Sequence, residues 1–435
     1  MDLRPSVGTS LPMKLVVFGL WHLGCVTAAC CAKHVEVVGL DPDAPLVANL
    51  SSGRPPISEP GLNDLVAAGL ASRKLRFTTD AESACAEAQL LWVTFDTPVA
   101  DDDTSDVEAV LAPLRKVLPH LATGTVVLIS SQLPVGTCAK LEGEFPSLDF
   151  AVSPENLRLG QAIAGFEKAD RIVIGLRHER NRPLLESLLG RFTQRLIWMR
   201  PESAEMVKHA LNGFLALSIS FINEIATVCE AFGADAKEVS TGLKSDPRVG
   251  ERAFVNPGGP FAGGTLARDV VSLSRIGQDH GLGLELVPAI KRSNDHHRGW
   301  AVKRLQETLG DLSGKRIAIL GLTYKPGTDT LRRSLALEVA AKLIAAGATC
   351  IAHDPAVRDT SHACPGLMAV ASLEEALAGA DATVVSTEWP VFREANWPAL
   401  LATMRRPLII DANGFLRNAV AGISGLNYHS VGQST

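Results

Sequence analysis

KLVVFGLWHLG at residues 14–24, followed by VEVVGLDP at 35–42, decides the fold. An apolar run, a glycine turn, a helical stretch and a second apolar run ending in an acid form the strand–turn–helix–strand pattern of a dinucleotide fingerprint. Phosphates sit at the N-terminus of such a helix, and the acid accepts from ribose hydroxyls. Gly19, Gly24 and Asp41 are therefore the candidate cofactor-binding residues of the turn. Asp41 is followed by Pro42 and Asp43, with no arginine before Arg54, so a 2′-phosphate would meet acids and NAD is expected over NADP. Trp21 stands where the fingerprint has its middle glycine. Either its side chain turns away and the cofactor sits slightly displaced, or the dinucleotide site is damaged.

Outward from this unit, further apolar runs recur between helical stretches: LLWVTF, TVVLIS, DFAVS, RIVIGL and RLIWM. Buried parallel strands read this way, as continuous apolar runs. After Trp300 the texture returns as KRIAILGLT, ATCIAHDP, ATVVST and PLIIDA, and IAILGLT with ATCIAHDP echoes the opening unit. Between the halves lies ESAEMVKHALNGFLALSISFINEIATVCEAFG, apolar on most of its circumference, which predicts a long helix buried between domains or subunits. The expected fold is α/β, two Rossmann-like doubly wound domains joined by a long central helix. The expected division is a leader over 1–12, an NAD-binding domain over 13–200, a central helical dimerisation region with a glycine-rich loop over 201–300, and a C-terminal Rossmann-like domain over 301–435.

Composition narrows the function. The 435 residues are 46% hydrophobic and 20% charged with a formal charge of −5, an ordinary globular balance with no basic cluster for nucleic acid. Eight cysteines are scattered without metal-ligand spacing, so buried thiols in a reducing compartment are expected and no metal site. No apolar run approaches the roughly 18 residues of a membrane span. A cytoplasmic protein is expected. The stretch NPGGPFAGGTLARD, 256–269, packs four glycines and two prolines ahead of Thr265 and Asp269 without a Cys, His or Ser nucleophile.

Further motifs follow in order: GRPPISEPGL (53–62), TFDTP (94–98), SQLPVGT (131–137), SPENLRLG (153–160), AEMVKHALNGFLA (204–216), FINEI (221–225), SDPRVG (245–250), SND (293–295), GLTYKPGTDTLRRS (321–334) and TEWPVF (387–392). From Met13 to about Phe415 the chain resembles the NAD-dependent nucleotide-sugar dehydrogenases typified by UDP-glucose and GDP-mannose 6-dehydrogenases. The resemblance implies an NAD-binding N-terminal domain, a homodimer through the central helix, and a C-terminal domain for a sugar nucleotide, a UDP-sugar favoured. It also implies oxidation of the sugar C6 from alcohol to acid by two hydride transfers.

By motif, Lys208 matches the lysine that stabilises charge on the C6 oxygen, with Asn212 four residues on along the same helical face. Asp269 matches the aspartate that handles the catalytic water, and Glu155 a glutamate acting as acid/base. Arg248 matches an arginine that reaches the neighbouring subunit's substrate. Lys325 and Gly263 match substrate-binding positions; Thr97, Ser131 and Arg332 match cofactor-side ones. Three departures fall in the aldehyde-to-acid half of the reaction: Thr265 replaces the family's catalytic cysteine, Gln132 a threonine and Leu159 a glutamate. An alcohol is a far weaker acid than a thiol, so covalent capture of the aldehyde is not expected. Two readings stay open: an oxidoreductase that works without covalent catalysis or stops after one two-electron step, and a non-catalytic sugar-nucleotide-binding homologue.

Overall fold

A computed structural model describes residues 13–100, 103–155, 157–262 and 264–433. The expected leader over 1–12 and the expected substrate position Gly263 lie outside the described residues. Two compact units divide within the long helix, the first ending at Leu211 and the second beginning at Asn212.

The first unit carries an eight-stranded sheet of β1 (Lys14–Phe18), β2 (Glu36–Leu40), β3 (Leu75–Thr78), β4 (Leu90–Val93), β5 (Val126–Ile129), β6 (Asp149–Val152), β7 (Ile172–Leu176) and β8 (Leu196–Met199). Their order is β3-β2-β1-β4-β5-β6-β7-β8, which reverses between β1 and β4. Successive side chains of a strand face opposite layers. Leu15 and Val17 accordingly feed one core, Val16 and Phe18 the other. One expectation is corrected: β7 runs antiparallel to β6. Its apolar run looks like that of a parallel strand because burial on both faces, not direction, makes a strand uniformly apolar.

The second unit repeats the plan with β9 (Arg316–Leu320), β10 (Thr349–His353), β11 (Leu367–Ala369), β12 (Ala382–Val385), β13 (Leu408–Asp411) and β14 (Asn427–His429). The order β11-β10-β9-β12-β13-β14 is again reversed at the first strand, and every pairing is parallel. The same bond ties the first turn of each sheet. Asp41 Oδ2 accepts from Leu20 N at 2.7 Å and Oδ1 from Asp43 N at 2.9 Å. Asp354 Oδ2 accepts from Leu322 N at 2.6 Å, Thr323 N at 3.2 Å and Trp389 Nε1 at 3.0 Å, and Oδ1 from Ala356 N at 2.8 Å. Both turns begin on a left-handed glycine, Gly19 at φ 97° and Gly321 at φ 83°. Gly24 is dictated by contact, since a methyl there would lie 1.7 Å from the Gly19 carbonyl oxygen.

The long helix runs Pro201–Phe232. It is long and apolar enough to cross a membrane by length and composition alone, more than the apolar runs suggested. Its buried polar groups have protein partners, however: Glu205, His209, Asn212 and Asn223 are all hydrogen-bonded. Nor is it buried all round. Phe214, Phe221, Val228 and Phe232 form an exposed stripe, Phe232 at 84%.

Loss of the Asp354 carboxylate would leave four N–H donors without their acceptor, against two for Asp41. Each buried orphan costs about 1–3 kcal/mol. Asp354→Ala is therefore expected to destabilise the second unit by about 3 kcal/mol or more, a larger loss than Asp41→Ala causes in the first. Urea unfolding of both variants measures the difference.

Candidate active site

At the dinucleotide turn, the helix His22–Ala32 follows Trp21, whose side chain makes no capping bond. No acid occupies the helix's first turn, which leaves its N-terminal N–H groups for a phosphate. Trp21 is 52% exposed, and the glycine turn closes despite it. Asp41 is buried and two of its acceptor sites hold the backbone, but an ionised carboxylate has about four. The remaining ones suit ribose hydroxyls. Thr97 Oγ1 donates to the Gln132 carbonyl at 2.7 Å, and the buried Ser131 Oγ has no partner. A dinucleotide with hydroxyl and phosphate oxygens fits this set of open donors and acceptors.

Ser131 opens into a pocket beyond the ends of β5 and β6, lined also by Thr137, Glu155, Glu205, Lys208 and His209. Lys208 Nζ donates to the Glu155 carbonyl at 2.7 Å and lies 3.8 Å from its carboxylate. Glu155 Oε2 in turn accepts from Leu157 N at 2.7 Å. Glu205, one helical turn before His209, accepts from Gly136 N at 2.6 Å and Cys138 N at 2.8 Å, capping the helix Thr137–Glu144. Burial pushes the Glu205 carboxyl above its ordinary range, opposed by those two N–H groups.

In the second unit the glycine-rich stretch is a pinned loop. Asn223 Oδ1 accepts from Gly258 N at 3.0 Å, Asn413 Oδ1 from Gly259 N at 2.7 Å, and Asn294 brackets Phe261 with both its N and O at 2.9 Å. His297 Nε2 meets the Gly258 carbonyl at 2.8 Å. Gly258 admits no side chain, because a methyl would lie 2.3 Å from Asn413 Oδ1. The loop ends at Gly264, φ 102°, where the helix Thr265–Asp279 begins. Thr265 is exposed; Asp269, one turn on, is wholly buried and accepts from Asn212 Nδ2. Arg333, itself left-handed at φ 61°, brings Nη1 to 3.4 Å from where a methyl on Gly264 would sit.

Lys208 is thus joined to Glu155, and Asn212 to Asp269. Arg248 is exposed and paired with Asp246 at 2.7 Å. Lys325 and Arg332 are exposed in the segment before the helix Leu335–Ala345. Glu59, Asn223 and Asn294 lie inside the motifs named above but take no role from them. Glu59 is buried and accepts from Gly160 N at 2.7 Å and Ala162 N at 2.8 Å while meeting His22 at 3.2 Å. For Glu59 and Asn223 the signal was a polar residue inside a proline-rich and an apolar run; Asn294, within KRSNDHHR, carried none.

Burial holds the His297 pKa below its usual value, against the pull of the Gly258 carbonyl. The unfolded chain then takes up this proton first as pH falls through about 6.5. The contribution to stability is present above that pH and is lost between it and the lower folded value. The midpoint of chemical unfolding of the second unit is expected to fall between pH 7 and 5, and His297→Gln to flatten that slope.

Three family models match the chain in order: the UDP-glucose/GDP-mannose dehydrogenase family's NAD binding domain over 13–193, central domain over 202–296 and UDP binding domain over 318–418. UDP-glucose 6-dehydrogenase of Rhizobium meliloti is 35% identical across 97% of this chain and 100% of its own. UDP-glucose 6-dehydrogenase YwqF of Bacillus subtilis is 33% identical across 97% and 98%. Among solved structures, a UDP-glucose dehydrogenase from Pyrobaculum islandicum superimposes with a TM-score of 0.85 at 30% identity, covering 100% of both chains. A UDP-D-ManNAc dehydrogenase from Pyrococcus horikoshii gives 0.83 at 27% identity, covering 97% of this chain and 99% of that one. With the fingerprint, the paired sheets and these matches agreeing, the chain belongs to the UDP-glucose/GDP-mannose dehydrogenase family of NAD-dependent nucleotide-sugar dehydrogenases.

Proposed function

We propose that the protein oxidises C6 of a UDP-hexose with NAD as hydride acceptor, and that it does so without a cysteine nucleophile. The UDP-glucose 6-dehydrogenases among its relatives and the UDP binding domain match support the substrate class. The observation that carries the missing thiol is the exposed Thr265 at the start of its helix, one turn before buried Asp269. All eight thiols are buried elsewhere. Burial pushes Cys25, Cys30 and Cys350 up to about 12, far from a neutral-pH thiolate.

In this reading, NAD supplies the hydride acceptor, bound through Gly19, Gly24, Asp41, Thr97 and Ser131, with Arg332 at its side. Lys325, Gly263 and Arg248 hold the sugar nucleotide, Arg248 that of a neighbouring subunit. The first step removes a hydride from C6 and a proton from its hydroxyl, giving the aldehyde. Glu155 receives the proton and the Lys208 ammonium stabilises the oxyanion as it develops. Completion to the acid requires water to add to the aldehyde; the hydrate then loses a second hydride and proton. Asp269, oriented by Asn212, is the group that positions this water. The exposed stripe of Phe214, Phe221, Val228 and Phe232 supports a homodimer through the long helix.

Lys208→Ala is expected to lower NADH formation from UDP-glucose by about 10²-fold or more, with UDP binding nearly unchanged. Loss of binding with turnover retained would make Lys208 a ground-state contact. Thr265→Ala is expected to keep the first hydride transfer within a few-fold of the parent in single-turnover kinetics. Thr265→Cys should trap the aldehyde as an adduct and, after the second hydride transfer, form a slowly hydrolysed thioester, read by intact mass.

A further inference from the structure

Outside these residues, the second unit gathers two cations around one glycine. Gly414 follows Asn413 just beyond β13 and takes the left-handed conformation at φ 67°. A methyl placed on it would have as its three nearest atoms, apart from its chain neighbours, Lys237 Nζ at 2.7 Å, Arg417 Nε at 3.4 Å and Arg417 Nη2 at 3.5 Å. Three nitrogens of two cations therefore converge on one small space. Arg417 Nε is buried without a hydrogen-bond partner, while Nη2 donates to Ser430 Oγ at 2.7 Å. The Lys237 amine has no hydrogen bond or ion pair among the described residues. The neighbouring carboxylates are engaged elsewhere. Asp411 Oδ2 accepts from Leu416 N at 2.7 Å and Tyr428 OH at 2.6 Å. Asp235 accepts from Lys237 N at 2.7 Å and Gln433 Nε2 at 2.9 Å.

Like charges brought together out of water raise each other's energy unless an anion joins them. We infer that Lys237, Arg417 and the space over Gly414 form a binding site for a tetrahedral oxyanion of the phosphate class, apart from the residues assigned to NAD and the sugar nucleotide. The Nε–Nη2 edge of a guanidinium presents two N–H groups in one plane to two oxygens. Lysine approaches from a third direction, and phosphate, unlike a planar carboxylate, offers a third oxygen there. Burial, and then Arg417, hold the Lys237 pKa below the usual lysine value although the charges of Asp411 and Asp235 pull it upward, and a bound anion would add to that upward pull. Asn413, one residue before Gly414, also holds Gly259 N, so the site adjoins the clamp on the glycine-rich loop.

The test is calorimetric titration of the full chain with inorganic phosphate at constant ionic strength, in saturating UDP so that a nucleotide pocket is already filled. One phosphate per chain is expected. Lys237→Gln and Arg417→Gln should each weaken it at least tenfold, Lys237→Arg should retain most of it, and acetate should bind at least tenfold more weakly. Glycerol 3-phosphate in a parallel arm assigns the site to monoesters if it binds as well as phosphate, and to the free ion if it does not. Should a glutamine variant fail to fold, Gly414→Ala fills the space instead; it should abolish thermal stabilisation by phosphate and keep that by UDP. No saturable phosphate binding to the parent, or binding unchanged in folded variants, overturns the inference.

Discussion

The loop at 258–261 has its backbone held by side chains from three separate segments, and the start of the helix Thr265–Asp279 depends on that grip. Asn223, Asn294, His297 and Asn413 satisfy N–H and C=O groups that neither helix nor sheet would satisfy. Each such bond contributes only about 1 kcal/mol net, yet leaving its buried partner unpaired costs about 1–3 kcal/mol. The loop is therefore held in one place rather than merely favoured there. Its glycines serve this closeness: at Gly258 even a methyl would collide with the Asn413 amide. What the loop delivers is the first turn of the helix Thr265–Asp279, with Asp269 buried against Asn212.

A second constraint shapes both sheets. The acid that ends the second strand of each is turned inward to hold the backbone of the first turn, as Asp41 does for Leu20 and Asp354 for Leu322. In the first unit the same carboxylate holds only two backbone N–H groups and so keeps acceptor capacity, which is what the proposed ribose contact would use. In the second, Trp389 Nε1 and Thr323 N add to the load, and the acid reads as structural. The echo between LVVFGL and IAILGLT thus reflects a shared piece of backbone chemistry, not only a shared strand.

The central strands, the fingerprint and the long helix were legible because burial on both faces writes itself as uninterrupted apolar sequence. The strands that sequence reasoning passed over, Leu75–Thr78, Leu367–Ala369 and Asn427–His429, all lie at sheet edges. With one neighbour each and exposed residues such as Arg76, Met368 and Asn427, they lack the apolar signature. The direction of β7 was illegible for a related reason, since composition reports burial and not polarity of the chain. Within the site, Lys208 with Glu155 and Asn212 with Asp269 were named as candidates from motifs and spacing. The clamp was not, because Asn223, Asn294, His297 and Asn413 are nearly 200 residues apart end to end and become one feature only through the fold. Glu59 and Glu205, which hold loop backbone, were hidden for the same reason.

The proposed reaction rests on two pairs of side chains, Lys208 with Glu155 in the first unit and Asn212 with Asp269 in the second, and on Thr265, which carries no thiol. In that proposal Lys208 beside Glu155 handles charge and proton and Asp269 held by Asn212 positions water, while the exposed Thr265 offers no ready nucleophile. The most direct measurement is intact-protein mass, by rapid quench, of the parent turning over UDP-glucose with NAD, with NADH counted against sugar consumed. NADH formation is expected with the protein mass unchanged at every time point, whether one or two NADH accrue per sugar. A sugar adduct or acyl ester that appears and decays at the turnover rate and maps to Thr265 would contradict it.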